Sequence, residues 1–146
     1  MALPPTIHTG HCLCNAVAYT GKGESHMHVC HCNSCTRWSG GPFIGLRFAD
    51  GIEITTPDAV NWFASSDWAE RGSCKICGTA MFYKLQAEAT PQVVSAGTLE
   101  AEPAIAIGEH IFIEQKPAYY DFADDAPRIT GAEVFERFTG PQDDPS

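Results

Sequence analysis

The sequence is short of positive charge. Its 146 residues hold 9 lysines and arginines against 18 aspartates and glutamates, a formal net charge of -9. The bases are scattered singly from Lys22 to Arg137. Phosphate neutralisation needs clustered basic side chains, so no nucleic-acid partner is expected. Long hydrophobic runs are also missing. No segment approaches the roughly 20 apolar residues of a membrane span, and no membrane partner is expected. The opening "MALPPTIHTG" lacks the positive flank and apolar run of a secretory signal. The expected location is therefore cytoplasmic, where thiols stay reduced. Internal repeats and long helical stripes are absent too. What remains is 44% hydrophobic and 18% charged, ordinary for a folded chain. The length suits a single domain over residues 1–139, with the acidic, proline-containing residues 140–146 as a disordered tail. Oligomeric state is not legible.

The apolar pattern has mostly a period of two. "AVAYT" (16–20), "PFIGLRF" (42–48), "AMFYKL" (80–85), "QVVSAG" (92–97) and "HIFIE" (110–114) read as short strands. Gly, Pro and Asp clusters separate them. "DAVNWF" (58–63) and "TGAEVFERF" (130–138) are candidates for short helices. "DFADDAPRIT" (121–130) reads as loop whose acids face solvent, without the ligand spacing of a calcium loop. The fold class expected is mainly β, built from antiparallel sheets with many turns.

Seven cysteines stand out: Cys12, Cys14, Cys30, Cys32, Cys35, Cys74 and Cys77. They fall into C-x-C, C-x-C-x-x-C and C-x-x-C groups. An odd count in a reducing compartment argues against a disulfide framework. A redox C-x-x-C usually opens a helix in a βαβ setting, whereas "SCKICGTAMFY" leads into a strand. Zinc fits better, because one tight turn delivers two sulfurs to a tetrahedral ion. Four thiolates close a structural site; three leave a position for water or substrate. Cys30, Cys32 and Cys35 can form an open site within one segment, and Cys12/Cys14 can join Cys74/Cys77. The rival division joins two triplet sulfurs to Cys74/Cys77 and leaves Cys12/Cys14 with His11 or His110.

Four stretches carry a resemblance: "GHCLCNAVAY" from Gly10, "CHCNSCTRWSG" from Cys30, "RGSCKICGTAMFY" from Arg71 and "GEHIFIEQKPAYYD" from Gly108. Together they resemble the glutathione-dependent formaldehyde-activating enzyme family, whose wider group includes centromere protein V-like proteins. The resemblance implies a β-tent fold with two zinc ions per chain. Cys12, Cys14, Cys74 and Cys77 would match the structural zinc ligands; Cys30, Cys32 and Cys35 would match the catalytic ones. It also implies a carbon–sulfur lyase joining glutathione and formaldehyde into S-hydroxymethylglutathione. Two departures stand out. Ser73 replaces the aromatic residue that often precedes the C-x-x-C-G knuckle, and Tyr119 and Tyr120 stand where tryptophan is common.

Around the triplet, His31 is a candidate proton shuttle, with packing or a backbone hydrogen bond as the alternative. Arg37 is a candidate partner for a substrate carboxylate. Trp38 and Phe43 line a pocket or simply pack in the core. His110 is expected to be a structural histidine rather than a ligand. The leading function is a zinc-dependent lyase acting on a thiol–aldehyde adduct, with the thiol bound at the three-cysteine site. The alternative is a non-enzymatic zinc-scaffolded binding module.

Overall fold

A computed structural model describes residues 7–102 and 104–139. The expected tail, 140–146, lies outside these. Among the described residues the chain begins with β1 (His8–His11), β2 (Ala18–Gly21) and β3 (Ser25–Cys30), then α1 (Asn33–Ser39). Next come β4 (Phe43–Phe48), β5 (Ile52–Ile54), β6 (Val60–Ala64), β7 (Ala69–Cys74), β8 (Ala80–Leu85) and β9 (Val93–Ser95). The chain closes with β10 (Ile107–Ile111), β11 (Arg128–Ile129) and α2 (Gly131–Thr139). The protein is mainly β, as its period-two patterning implies. The residues fall in two compact units, one within Met1–Met27 and Ile44–Ala106, the other within His28–Phe43 and Ile107–Ser146.

In the first unit, β1, β2 and β5 form a three-stranded antiparallel sheet. The strands β4, β9, β8, β7 and β6 follow one another in a second antiparallel array. Val17, Tyr19, Leu46, Phe48, Ile52, Met81, Phe82 and Val94 are buried together as its core. Cys12 and Cys74 belong to that core, which brings two of the three cysteine groups into it. Two glycines serve close approach. A side chain at Gly10 would collide with the Tyr19 ring and the Thr98 carbonyl, and one at Gly72 with the Trp62 ring.

"DAVNWF" is not a helix. Pro57–Ala59 make one 3-10 turn, and Val60–Ala64 continue as β6, paired with β7 from Val60↔Cys74 to Ala64↔Glu70. Val, Trp and Phe suit a pleated, half-buried surface, and the Trp62 ring packs over Gly72.

The second unit holds α1, α2, β10 and β11, with β3 beside β10 at its His28–Cys30 end. β10 and β11 run parallel, His110 facing Arg128, so the sheets are not purely antiparallel. β10 stops at Ile111 rather than running through "HIFIE". Phe112 takes a left-handed conformation, φ 56°, and a 3-10 turn follows at Ile113–Gln115. α2 forms where "TGAEVFERF" suggested. Thr130 and Glu133 cap its first turn reciprocally: Thr130 N–H donates to Glu133 Oε1 at 2.9 Å, and Glu133 N–H to Thr130 Oγ1 at 3.2 Å. Arg137 donates two 2.9 Å bonds to Glu109, tying the helix to β10.

Candidate functional site

Two tight turns build the four-cysteine cluster in the first unit. After β1, Asn15 N–H donates to Cys12 O, and Asn15 has φ 71°. After β7, Gly78 N–H donates to Cys74 O, and Gly78 has φ 80°. Each turn directs two sulfurs to one point. The sulfurs of Cys12, Cys14, Cys74 and Cys77 all lie within 4.8 Å of one another. Cys12–Cys14 and Cys14–Cys74 are each 3.7 Å apart. Four sulfurs about 2.3 Å from one tetrahedral ion would be about 3.8 Å apart, so the cluster fits zinc. Backbone N–H groups point at these sulfurs as they would at thiolates. Val17 N–H reaches Cys12 Sγ at 3.2 Å; Ile76 and Cys77 N–H reach Cys74 Sγ at 3.3 and 3.4 Å. Hydrogen bonds from the Thr79 side chain and backbone draw the Cys77 thiol down to about 5.

The three-cysteine cluster lies in the second unit, where β3 gives way to α1. Cys30 ends the strand, Cys32 caps the helix, and Cys35 is one turn inside it. Helical geometry therefore folds Cys35 back over Cys32: its N–H donates to Cys32 Sγ at 3.3 Å. The three sulfurs lie within 4.8 Å of one another, with Cys30 and Cys32 3.2 Å apart. The crowded thiols cannot all ionise alone. Hydrogen bonds with Cys32 and then Cys35, and burial, push the Cys30 thiol far above its ordinary value. A divalent cation removes that conflict, so the donor set fits a metal of zinc's kind. Among the described residues, the sulfurs divide as four and three, and neither His11 nor His110 joins a cluster. His11 Nδ1 instead lies 2.8 Å from the Cys12 carbonyl.

A chain of buried rings runs from the triplet. His31 sits between Cys30 and Cys32 and is fully buried. Its Nδ1 is 2.7 Å from the Tyr120 hydroxyl, and its Nε2 is 2.8 Å from His110 Nδ1. His110, also buried, places Nε2 3.0 Å from both oxygens of Asp124. Asp124 also accepts from Ala126 N–H at 3.0 Å and meets Arg128 at 3.5 Å. Phe122 packs edge-on against both imidazoles. Burial pushes His31 down to about 4, helped by the charges of His110, Lys116 and Arg128. Partial burial opposes ionisation of Asp124, but the hydrogen bonds from His110 and Ala126 N–H and the nearby positive charge of Arg128 together outweigh it, and the carboxyl titrates below its ordinary value. Burial raises the Tyr120 phenol, and the charges of Tyr119 and Cys30 add to the rise.

Beside α1 lies a cleft of about 460 Å³, lined by Asn33, Thr36, Arg37, Gln115, Pro117 and Tyr119. Gln115 Oε1 accepts from Asn33 N–H at 2.8 Å, holding one wall to the helix. Thr36 Oγ1 is buried and, among the described residues, is the one buried side-chain oxygen or nitrogen without a hydrogen-bond partner. An orphaned hydroxyl costs free energy, which a polar ligand would recover.

The sequence candidates are thus dispersed over distinct tasks. Arg37 is exposed on the cleft wall. Trp38 and Phe43 pack on each other with centroids 5.2 Å apart, and Phe43 is buried. Both ring nitrogens of His31 are engaged, by Tyr120 and His110. His110 is structural in the sense expected, a satisfied histidine outside the sulfur clusters. The acids of "DFADDAPRIT" are not all solvent-facing, because Asp124 anchors the imidazole chain. Sequence reading missed Thr36 and Asp124 as members of the site, and marked Tyr120 only as a departure from the tryptophan common in the family. Only the "HI" of β10 and the "YYD" after it signalled this region.

Comparison with known proteins agrees with this geometry. The chain is 30% identical over 128 residues to an uncharacterized lyase of Schizosaccharomyces pombe, covering 87% of this chain and 93% of that one. Its fold is similar to the crystal structure of a Rhodobacter sphaeroides protein, with a TM-score of 0.52 and 16% identity, covering 82% of this chain and 98% of that one. The family model described as glutathione-dependent formaldehyde-activating enzyme matches residues 7–115, which contain all seven cysteines, and the chain belongs to that family.

Proposed function

We propose that this protein is a carbon–sulfur lyase of the glutathione-dependent formaldehyde-activating type. The observation that carries the reading is the division of seven sulfurs into a set of four and a separate set of three. Four thiolates complete a tetrahedron, whereas three leave room for an exogenous ligand. Cys12, Cys14, Cys74 and Cys77 hold a structural zinc in this reading, and Cys30, Cys32 and Cys35 a catalytic one, two ions per chain. Zinc at the second site supplies a place where a substrate thiol is held deprotonated near neutral pH.

The substrates are a small thiol such as glutathione and an aldehyde such as formaldehyde. In the forward direction the sulfur bonds to the carbonyl carbon as the carbon–oxygen π bond opens. The oxygen takes up the proton that the thiol released, giving a hydroxymethyl thioether without any redox change. The chain's own residues bind and orient. Arg37, which forms no ion pair among the described residues, meets a carboxylate of the thiol, with the Thr36 hydroxyl beside it in the cleft. Trp38 and Phe43 pack on each other outside the cleft lining and support α1 rather than meeting substrate. His31 takes part through Tyr120 rather than by touching substrate, since both its nitrogens are used. A single domain working in the cytoplasm, without nucleic acid or membrane, completes the proposal.

Exchange NMR of glutathione with formaldehyde tests it. Wild type accelerates the exchange, and Cys32→Ser returns it to the uncatalysed rate. Equal exchange with and without wild-type protein sinks the reading.

A further inference from the structure

The imidazole chain has a direction, and it can be read from Asp124. A carboxylate held ionised only accepts, so His110 Nε2 must donate to it. In the singly protonated ring that leaves His110 Nδ1 as a lone pair, and His31 Nε2, 2.8 Å away, donates in turn. His31 Nδ1 is then a lone pair, and the Tyr120 hydroxyl, 2.7 Å away, must give it its proton. The tautomers are assigned from this network. The opposite order would set the His110 Nε2 lone pair against the carboxylate. Arg128 and the Ala126 N–H hold Asp124 in its accepting state.

A phenol has one proton to donate and lone pairs to accept with. Once that proton is committed inward, the Tyr120 oxygen can only accept from anything outside. Tyr120 is half-buried, its neighbour Tyr119 lines the cleft beside α1, and its hydroxyl meets His31, which lies between Cys30 and Cys32 in the chain. We propose that Tyr120 is a dedicated hydrogen-bond acceptor at the three-cysteine site, selecting ligands that bring an O–H to it. Asp124 and His110 are positioning residues that set its direction through His31. The selection half rests on the thiol-adduct function; the direction of the chain does not. A hydroxymethyl thioether carries the hydroxyl donor this acceptor needs, and a bare aldehyde carries none. Tyr120 therefore distinguishes the adduct from its carbonyl precursor.

Two measurements test this. Nitrogen-15 NMR of the zinc-loaded full chain at neutral pH resolves the tautomers of His31 and His110. Both are expected as Nε2–H forms. An Nδ1–H form of either ring, or a doubly protonated His110, overturns the direction. The second measurement uses cobalt-substituted protein, whose visible spectrum reports thiol binding. It compares 2-mercaptoethanol with 1-propanethiol, which replaces the hydroxyl by a methyl group. The ratio of their affinities is expected to fall roughly fivefold in Tyr120→Phe, the worth of one hydrogen bond. Asp124→Ala is expected to mix the histidine tautomers and lower the same ratio. An unchanged ratio in Tyr120→Phe overturns the acceptor role. If glutathione–formaldehyde exchange is absent while tautomers and ratio behave as stated, the proposed reaction fails, and the direction of the chain and the acceptor role of Tyr120 stand without it.

Discussion

The sulfurs of Cys14 and Cys74 lie 3.7 Å apart although 60 positions separate them in sequence. The Leu13 N–H bond to Thr79 Oγ1 at 3.2 Å joins the same two turns. The cluster therefore joins distant parts of the first unit, and a zinc ion held there would contribute on the order of 10 kcal/mol to folding. Cys74→Ser should lose its cooperative thermal transition and bind at most one zinc. Retention of the wild-type melting temperature would remove the structural role.

Cys32→Ser should behave differently. The triplet lies within one segment, so its loss opens no long loop. Metal analysis should fall from two zinc ions to one while the circular dichroism of the sheets is kept. Equal loss of structure in Cys32→Ser and Cys74→Ser would contradict the division into two kinds of site.

Thr36→Val separates binding from stability. Removing an unpartnered buried hydroxyl should stabilise the fold by about 1 kcal/mol, read by denaturant midpoint. If the hydroxyl meets the substrate, KM for the thiol should rise several-fold with kcat nearly unchanged. Arg37→Gln should raise KM in the same manner, more steeply for thiols bearing a carboxylate.

Gly10→Ala should destabilise by about 2 kcal/mol, because the new methyl meets the Tyr19 ring and the Thr98 carbonyl. The Tyr19 hydroxyl also bonds Thr98 Oγ1 at 2.7 Å and would be displaced from it. A melting temperature within a degree of wild type would show that the strand yields freely.

Arg137→Met should cost about 1 kcal/mol by breaking the two-pronged bond to Glu109. The loss should shrink in high salt, since both side chains are about one-third exposed. A loss that does not respond to salt would point to packing instead.

The cysteine groups were legible because short spacing is itself the chemistry: a C-x-x-C turn delivers two sulfurs whatever surrounds it. The strands at Phe43–Phe48 and Ala80–Leu85 were legible through alternation. α1 was not, because seven residues are too few to show a helical stripe, and its start is set by a thiol cap rather than a serine or aspartate. β6 was misread because a proline-led turn and a strand were joined in one window. The imidazole chain was invisible for another reason. His31 and His110 stand 79 positions apart, and only the pairing of β10 with its neighbours brings them together. Asp124 looked like one acid among several until that pairing placed His110 against it.

Cys32 has two occupations. Its sulfur belongs to the triplet, and it also accepts the N–H that starts α1. Thr36 and Arg37 ride on that same first turn and the next. An electrophile or oxidant that takes the sulfur's lone pairs would therefore disrupt the sulfur triplet and uncap the helix in one event. Covalent injury at one atom would be felt as a reshaped cleft.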